Sequence, residues 1–287
     1  MMHKEWVSLL LILGLWAPVC AQNSLSSVRQ SVQGGIPGHR LPRSPERSQT
    51  DDEHEWRFDD DDDDDHSPNS IGEWNPLGGI FLLPFSGPRY FLEDTGQEAY
   101  FTEYPFANQY SGNLLIEPLW HPNLKTSRLR FGTEYGDNFD RQQKITTRLQ
   151  YERKDRLGID SSFDYLREQL GGGEHDQLWL GDINLTWRFA QAEFAELRAG
   201  VGYNWMAATD ASGKGFNFTY GGSFYLDNPN VLDFDIDLGR IGDAGLTRFK
   251  TSYSRYIKRI RLSVGYEHLR LGVFETDYFT AGLSLDY

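Results

Sequence analysis

From residue 125 to residue 287 the chain alternates apolar and polar side chains with a period of two, in ten successive runs. That period belongs to β-strands, whose successive side chains point to opposite faces, whereas an amphipathic helix repeats every 3.6 residues. The first run sets Leu129, Phe131, Thr133 and Tyr135 against Arg128, Arg130, Gly132 and Glu134. The second sets Ile145, Thr147, Leu149 and Tyr151 against Thr146, Arg148, Gln150 and Glu152, and the third sets Ile159, Phe163 and Tyr165 against Gly158, Asp160, Ser162 and Asp164. Trp179, Ile183, Leu185, Trp187 and Phe189 then oppose Asp182, Asn184, Thr186 and Arg188. In the longest run Leu197, Ala199, Val201, Tyr203 and Trp205 face away from Glu196, Arg198, Gly200 and Gly202. Phe216, Phe218 and Tyr220 oppose Asn217, Thr219 and Gly221, and Leu232, Phe234, Ile236 and Leu238 alternate with Asp233, Asp235 and Asp237. The run at 247–256 is the weakest, because Arg255 falls on its apolar face. Ile260, Leu262, Val264 and Tyr266 oppose Arg261, Ser263, Gly265 and Glu267, and Phe279, Ala281, Leu283, Leu285 and Tyr287 oppose Thr280, Gly282, Ser284 and Asp286.

An even number of strands lets an antiparallel sheet close on itself. The runs place connections near 153–156, 190–192, 227–230 and 257–259 on one side, and near 136–144, 167–177, 206–214, 240–245 and 270–277 on the other. The first set is predicted to be uniformly shorter than the second, as in barrels with short turns at one rim and long loops at the other.

The chain before this region is of a different kind. Lys4 precedes the apolar stretch VSLLLILGL at 7–15, too short to span a bilayer, and Val19-Cys20-Ala21 follows Pro18. Residues 1–21 therefore read as an export signal cleaved after Ala21. Acylation of Cys20 fits less well, because Pro18 and Val19 stand where small residues are usual. Cys20 is the single cysteine, which excludes a disulfide framework or a cysteine zinc site. Residues 22–72 hold few apolar side chains and are predicted to be a disordered, acidic linker. Eleven of the 42 acids fall at 51–55 and 59–65, so the net charge of −14 describes a segment rather than a surface. The aspartate run lacks the glycine and alternating ligands of a calcium loop and reads as a solvated tether. Residues 73–123, rich in proline, glycine and aromatics, show no sustained period. They read as an irregular cap with one added strand near 114–116, or as a docking segment for a partner.

Aromatics at 14% combined with a mean hydropathy of −0.57 exclude a helical membrane protein and fit half-polar strands. The closing stretch FTAGLSLDY resembles the C-terminal assembly signal of small bacterial outer-membrane β-barrel proteins, with Phe279, Leu283, Leu285 and Tyr287 at the alternate apolar positions. Tyr287 stands where the family's usual last residue is Phe. The resemblance implies a closed antiparallel up-and-down transmembrane β-barrel of about ten strands (8–12) over residues 124–287, located in the bacterial outer membrane. Its implied partners are outer-membrane lipid and, through the last strand, the barrel assembly machinery. The polar face then becomes the lumen. There Arg128, Arg130, Arg148, Arg188 and Arg198 have Glu134, Glu152, Asp182, Glu196, Asp233, Asp235, Asp237 and Glu267 as prospective partners. About ten strands leave a narrow interior that side chains nearly fill, so a salt-bridged plug is expected rather than a conducting channel.

The same alternation is compatible with a soluble secreted β-sandwich, whose apolar face is a core instead of a lipid contact. Catalysis rests on His175 and His268, one in a glycine-rich loop and one near a strand end, and the leading expectation is an outer-membrane barrel that is not an enzyme. Its role would be structural, adhesive or one of minor permeability; a lipid- or peptide-hydrolysing barrel is the alternative. Lys258, Arg259 and Arg261 at one tight turn read as a solvated basic cluster or a contact for phosphate headgroups. No nucleotide loop or nucleic-acid motif is present, and no cofactor or metal is expected.

Overall fold

The computed structural model describes residues 24–34, 76–107, 110, 112–116 and 124–287. The expected signal at 1–21 and residues 35–72 of the expected linker lie outside the described residues. Two helices, α1 (Leu25–Val32) and α2 (Pro76–Phe91), and a two-stranded ladder of β1 (Tyr100–Phe101) with β2 (Leu114–Leu115) precede the main body. Ten strands follow: β3 (Ser127–Asp137), β4 (Gln142–Arg153), β5 (Leu157–Gln169), β6 (His175–Ala192), β7 (Ala195–Ala207), β8 (Ser212–Tyr225), β9 (Asn230–Ile241), β10 (Ala244–Ile257), β11 (Ile260–Leu271) and β12 (Phe274–Asp286). Each barrel strand pairs antiparallel with its sequence neighbour, and β12 pairs with β3, closing a ten-stranded barrel. At the seam Leu129 and Tyr287 exchange both backbone hydrogen bonds, at 2.9 and 2.8 Å. The strands are 11 to 18 residues long, enough for tilted strands to cross a bilayer.

The two faces separate as the alternation demands, but their exposure is the reverse of a water-soluble protein. Leu185 and Val264 are each 60% exposed on the outer wall, while Asp164 is fully buried in the lumen. This excludes the sandwich, in which the apolar face would be the hidden one. Trp187 is 44% exposed rather than enclosed between layers. Aromatics gather near the strand ends of the outer wall. Tyr165, Trp179, Phe163 and Trp205 stack in sequence with centroids 4.4 to 5.6 Å apart toward the loop end, the end opposite Ser127 and Asp286. Between β6 and β7 the register slips at Arg188/Ala190, a bulge that accommodates Phe189.

Three expectations need correction. The loop-end connections are not uniformly longer. They span 138–141, 170–174, 208–211, 242–243 and 272–273, against 154–156, 193–194, 226–229 and 258–259 at the terminus end, so two of them are two-residue turns. The ladder runs on beyond the apolar belt, because backbone pairing is indifferent to the polarity of the side chains it carries. Gly242 and Gly272, with φ of 58° and 65°, supply the left-handed backbone those tight turns need. Residues 24–34, expected to be disordered, contain helix α1. Residues 76–91, expected to be irregular, form α2, while the added strand near 114–116 is present as β2.

Replacing Leu185 by arginine tests what surrounds the outer wall. In a bilayer a mid-wall arginine costs about 2–4 kcal/mol, whereas an exposed site in water tolerates the change to within about 0.5 kcal/mol. Urea unfolding in lipid vesicles is expected to show the larger loss.

Candidate functional site

The barrel interior and its two mouths form the candidate site. They are layered along the axis. The terminus-end mouth is covered by the segment that follows α2. Asp94 receives both terminal nitrogens of Arg156, at 2.7 and 2.6 Å, and the Gln191 backbone N–H at 3.2 Å. Arg156 adopts φ of 73° at the β4–β5 turn and also donates to the Gln97 carbonyl. Burial pushes the Asp94 carboxyl upward, but the Arg156 hydrogen bond and charge, with the Gly96 and Gln191 N–H groups, hold it below its ordinary value of 3.8. Phe101 of β1 lies beneath the guanidinium groups of Arg128 and Arg188, at 5.2 and 5.1 Å. Phe106 packs edge-on against Tyr225 and Tyr256. Exposed pairs Lys154–Glu98 and Arg259–Glu103 lie at the rim of the same cap.

The middle layer is ionic. Arg128 bridges Glu152 and Glu196, the latter at 2.8 Å, and Tyr225 donates its hydroxyl to Glu196 at 2.9 Å. Arg130 donates to Asp286 at 3.0 Å and to the Tyr256 hydroxyl at 2.9 Å. Arg188 reaches Gln191 at 2.8 Å and stands 3.9 Å from Glu152. Arg148 grips Asp160 through two nitrogens, at 2.9 and 2.5 Å, and Asp235 at 2.7 Å; Arg198 joins Asp235 at 2.5 Å. Lys250 pairs with Glu134, and Arg261 with Asp233. Nearer the loop end Arg248 contacts Asp164 at 2.6 Å and faces Asp182, Asp237 and Glu267 at 3.6, 3.8 and 3.6 Å. Asp182 also accepts from Ser162, and Glu267 pairs with Lys144.

All thirteen charged residues expected in the lumen therefore lie on the inner face, and each has a polar partner there. Asp160, Asp164 and Asp286, which stand on the polar face of their runs, join this network as further partners, and so do Lys144, Arg248 and Lys250, to which strict parity from their neighbours also points. Arg261, read as part of a solvated cluster, is instead buried against Asp233, because its run resumes inward directly after the Lys258–Arg259 turn. Phe279, Leu283 and Tyr287 are exposed on the outer wall, with Leu285 half-buried beside them.

Crowding sets the geometry of this layer. A Cβ at Gly202 would lie 2.0 Å from the Ile183 carbonyl oxygen and 2.4 Å from Asn184 Oδ1. Cavities of about 50 and 30 Å³ remain, and both are bordered by Thr146, Arg148, Asp235 and Lys250. A water needs roughly 10–15 Å³, so each cavity has room for a few waters and neither admits a larger solute.

Helix α1 occupies the loop-end mouth. Leu25, Val28 and Val32 are buried against an apolar ring that includes Leu178, Met206, Ile241, Leu269 and Phe274. The Leu25 backbone N–H, at the open start of the helix, donates to Glu168 at 2.7 Å. Arg29 makes a two-point pair with Asp176, at 2.7 and 2.5 Å, and lies 3.4 Å from Asp210. The wall is cut to fit. A Cβ at Gly242 would be 2.5 Å from the Val32 carbonyl, and one at Gly272 would be 2.5 Å from Ser31 Cβ.

The two barrel histidines are not in this interior. His175 is exposed at the start of β6, and His268 faces outward on β11 with Nδ1 2.8 Å from Asp277 Oδ1. Among the described residues, no group of three or more His, Cys, Asp or Glu is placed to hold a metal ion.

No family model and no curated protein matches the sequence. Solved structures similar to the chain are outer-membrane β-barrel proteins. They include an outer membrane channel from Pseudomonas putida F1 (10% identity, 56% of this chain and 94% of that one, TM-score 0.33). Ail, the attachment invasion locus protein of Yersinia pestis, matches at 9% identity over 56% of this chain and 96% of that one, with a TM-score of 0.27. The KdgM porin matches at 7% identity over 56% and 99%, with a TM-score of 0.28.

Two outcomes follow from the ionic layer and the cap. Asp235→Ala removes one of the two carboxylates shared by Arg148 and Arg198 and leaves Asp160 alone between two buried cations, and it is expected to destabilise the barrel by about 3–5 kcal/mol in reversible unfolding. Because the folded-state value of Asp94 is depressed, its clasp is at full strength above the ordinary carboxyl range near pH 3.8 and weakens as pH falls below it. Proteolysis of residues 94–106 should accelerate over that acid window, and Asp94→Asn should produce the fast rate already at neutral pH.

Proposed function

We propose that this protein is an integral outer-membrane β-barrel with a structural or adhesive role, whose resting lumen is shut to solutes larger than water. The observation that carries the reading is the inverted partition of side chains. A closed ladder with an apolar outer wall and a paired ionic interior satisfies its backbone groups internally and can stand in hydrocarbon. In water the same wall would leave Phe216, Leu185 and Val264 more than half exposed. Closure of the interior follows from three obstructions in series: the Phe101/Phe106 cap, the ionic layer and α1.

In this reading the terminus end faces the periplasm, as the resemblance of the last strand implies, and β12 engages the assembly machinery through Phe279, Leu283, Leu285 and Tyr287. A hydrolytic role has little support, because His268 and Asp277 lie on the lipid-facing wall rather than at a pocket.

Membrane fractionation with a heat-modifiability gel tests the reading. The unboiled protein is expected in the outer-membrane fraction, migrating away from its boiled position, and a soluble pool would overturn it. In planar bilayers the intact protein is expected to show no ion steps, while a chain lacking residues 24–34 and carrying Phe101→Ala and Phe106→Ala should show small, flickering ones.

A further inference from the structure

Helix α2 lies outside the barrel, against the wall that the preceding reading assigns to lipid. Its seat is formed by Ala190, Leu197 and Ala199, which are at most 8% exposed although they belong to the outer face. Phe85 of the helix meets Phe189 edge-on at 5.1 Å and Tyr220 at 6.2 Å. A polar bond helps to fix the contact. Pro88 has no N–H to give the carbonyl of Pro84 four residues earlier, so that oxygen is left without its helical donor, and the Tyr220 hydroxyl supplies one at 3.0 Å. The side of the helix end away from the wall is uncovered: Tyr90 and Phe91 are each 82% exposed.

We propose that α2 is a membrane-interface helix whose partner is the lipid of the leaflet at the terminus end of the barrel. The inference rests on the outer-membrane reading. Three observations carry it. The seat is continuous with the apolar belt, so a helix on it shares the medium that bathes the belt. Tyr90 and Phe91 join Trp187 (44% exposed) and Phe194 (50% exposed) at the same rim, and together they extend the aromatic girdle that barrels place at headgroup level. The sequence 77–88 is uncharged, and the first charge, Arg89, comes directly before the exposed aromatic pair, as in helices that lie along an interface with their polar end in water. Leu92 then packs against the same wall cluster and Asp94 is clasped at the mouth, so the chain passes from lipid to the periplasmic cap within a few residues.

The test uses the full chain with Cys20 replaced by serine, in phospholipid vesicles, with a single cysteine at Phe91, or in a second variant at Tyr90, carrying an environment-sensitive fluorophore. Cysteines at Leu185 and Asp140 report the mid-wall and a loop-end turn. Position 91 is expected to lose most of its emission to lipids carrying a shallow nitroxide and little to aqueous iodide. Phe85→Ala, which removes the ring between Phe189 and Tyr220, is expected to turn position 91 toward iodide. Quenching of positions 90 and 91 by iodide, with Leu185 still quenched only by nitroxide lipid, would overturn the inference and leave the barrel in its membrane. Iodide quenching of Leu185 as well would overturn both.

Discussion

The pairing of β12 with β3 is the constraint on which the remainder depends. An open ten-stranded sheet would expose two edges of unpaired N–H and C=O groups, and hydrocarbon offers such groups no partner. Once Leu129 and Tyr287 exchange their backbone bonds, the sheet has an inside and an outside, and the alternation of each strand acquires a meaning. Every second residue must then suit lipid and every other must suit a narrow enclosed space. A slip of one residue at the seam would exchange those sets for a whole strand.

Enclosure explains the chemistry of the interior. Charges removed from bulk water are tolerated when each is matched and its remaining hydrogen-bonding capacity is used. Arginine suits this better than lysine, since its fork can serve two carboxylates at once. Arg148 does this between Asp160 and Asp235, and Arg128 between Glu152 and Glu196. Tyrosines at the terminus end complete the set: Tyr225 and Tyr256 present their rings to Phe106 and their hydroxyls to Glu196 and Arg130. The layer is thus shared among strands on all sides of the barrel and ties together walls that no ladder connects directly.

Much of this was legible in the sequence, for a physical reason. A period of two is imposed by backbone geometry and survives in every strand, so the ten runs and the inward or outward sense of their side chains could be read residue by residue. Arg255 on an apolar face was no real exception, because it lies close to the strand end where the wall leaves the belt. The connections are less legible because polarity marks where lipid ends, not where pairing ends: Glu168 and Asp176 look like loop residues yet stand opposite each other in the β5–β6 ladder. Helix α1 was hidden for a different reason. Eight residues with three large apolar side chains have no stability of their own, and only the ring of Leu178, Ile241 and Phe274 makes them a helix. In α2 the two interior prolines, Pro84 and Pro88, argue against a helix, and the tertiary donor from Tyr220 is invisible to any local pattern.

The two mouths are closed by unlike physics, and both closures come from chain that precedes the barrel. At the loop end an apolar seat is filled by a helix pinned by Arg29 on Asp176 and by its Leu25 N–H on Glu168, so the closure is chiefly hydrophobic and strengthens with whatever excludes water. At the terminus end the cap is held by Asp94 on Arg156 and by cation–π contacts of Phe101, so it responds to acid and to charge. Between them the carboxylates and cations of the ionic layer pair with one another, and the terminus-end cap touches that layer only through the Phe101 ring beneath Arg128 and Arg188. Loss of one mouth would therefore open that end of the lumen to water while the paired charges of the middle hold the barrel's shape.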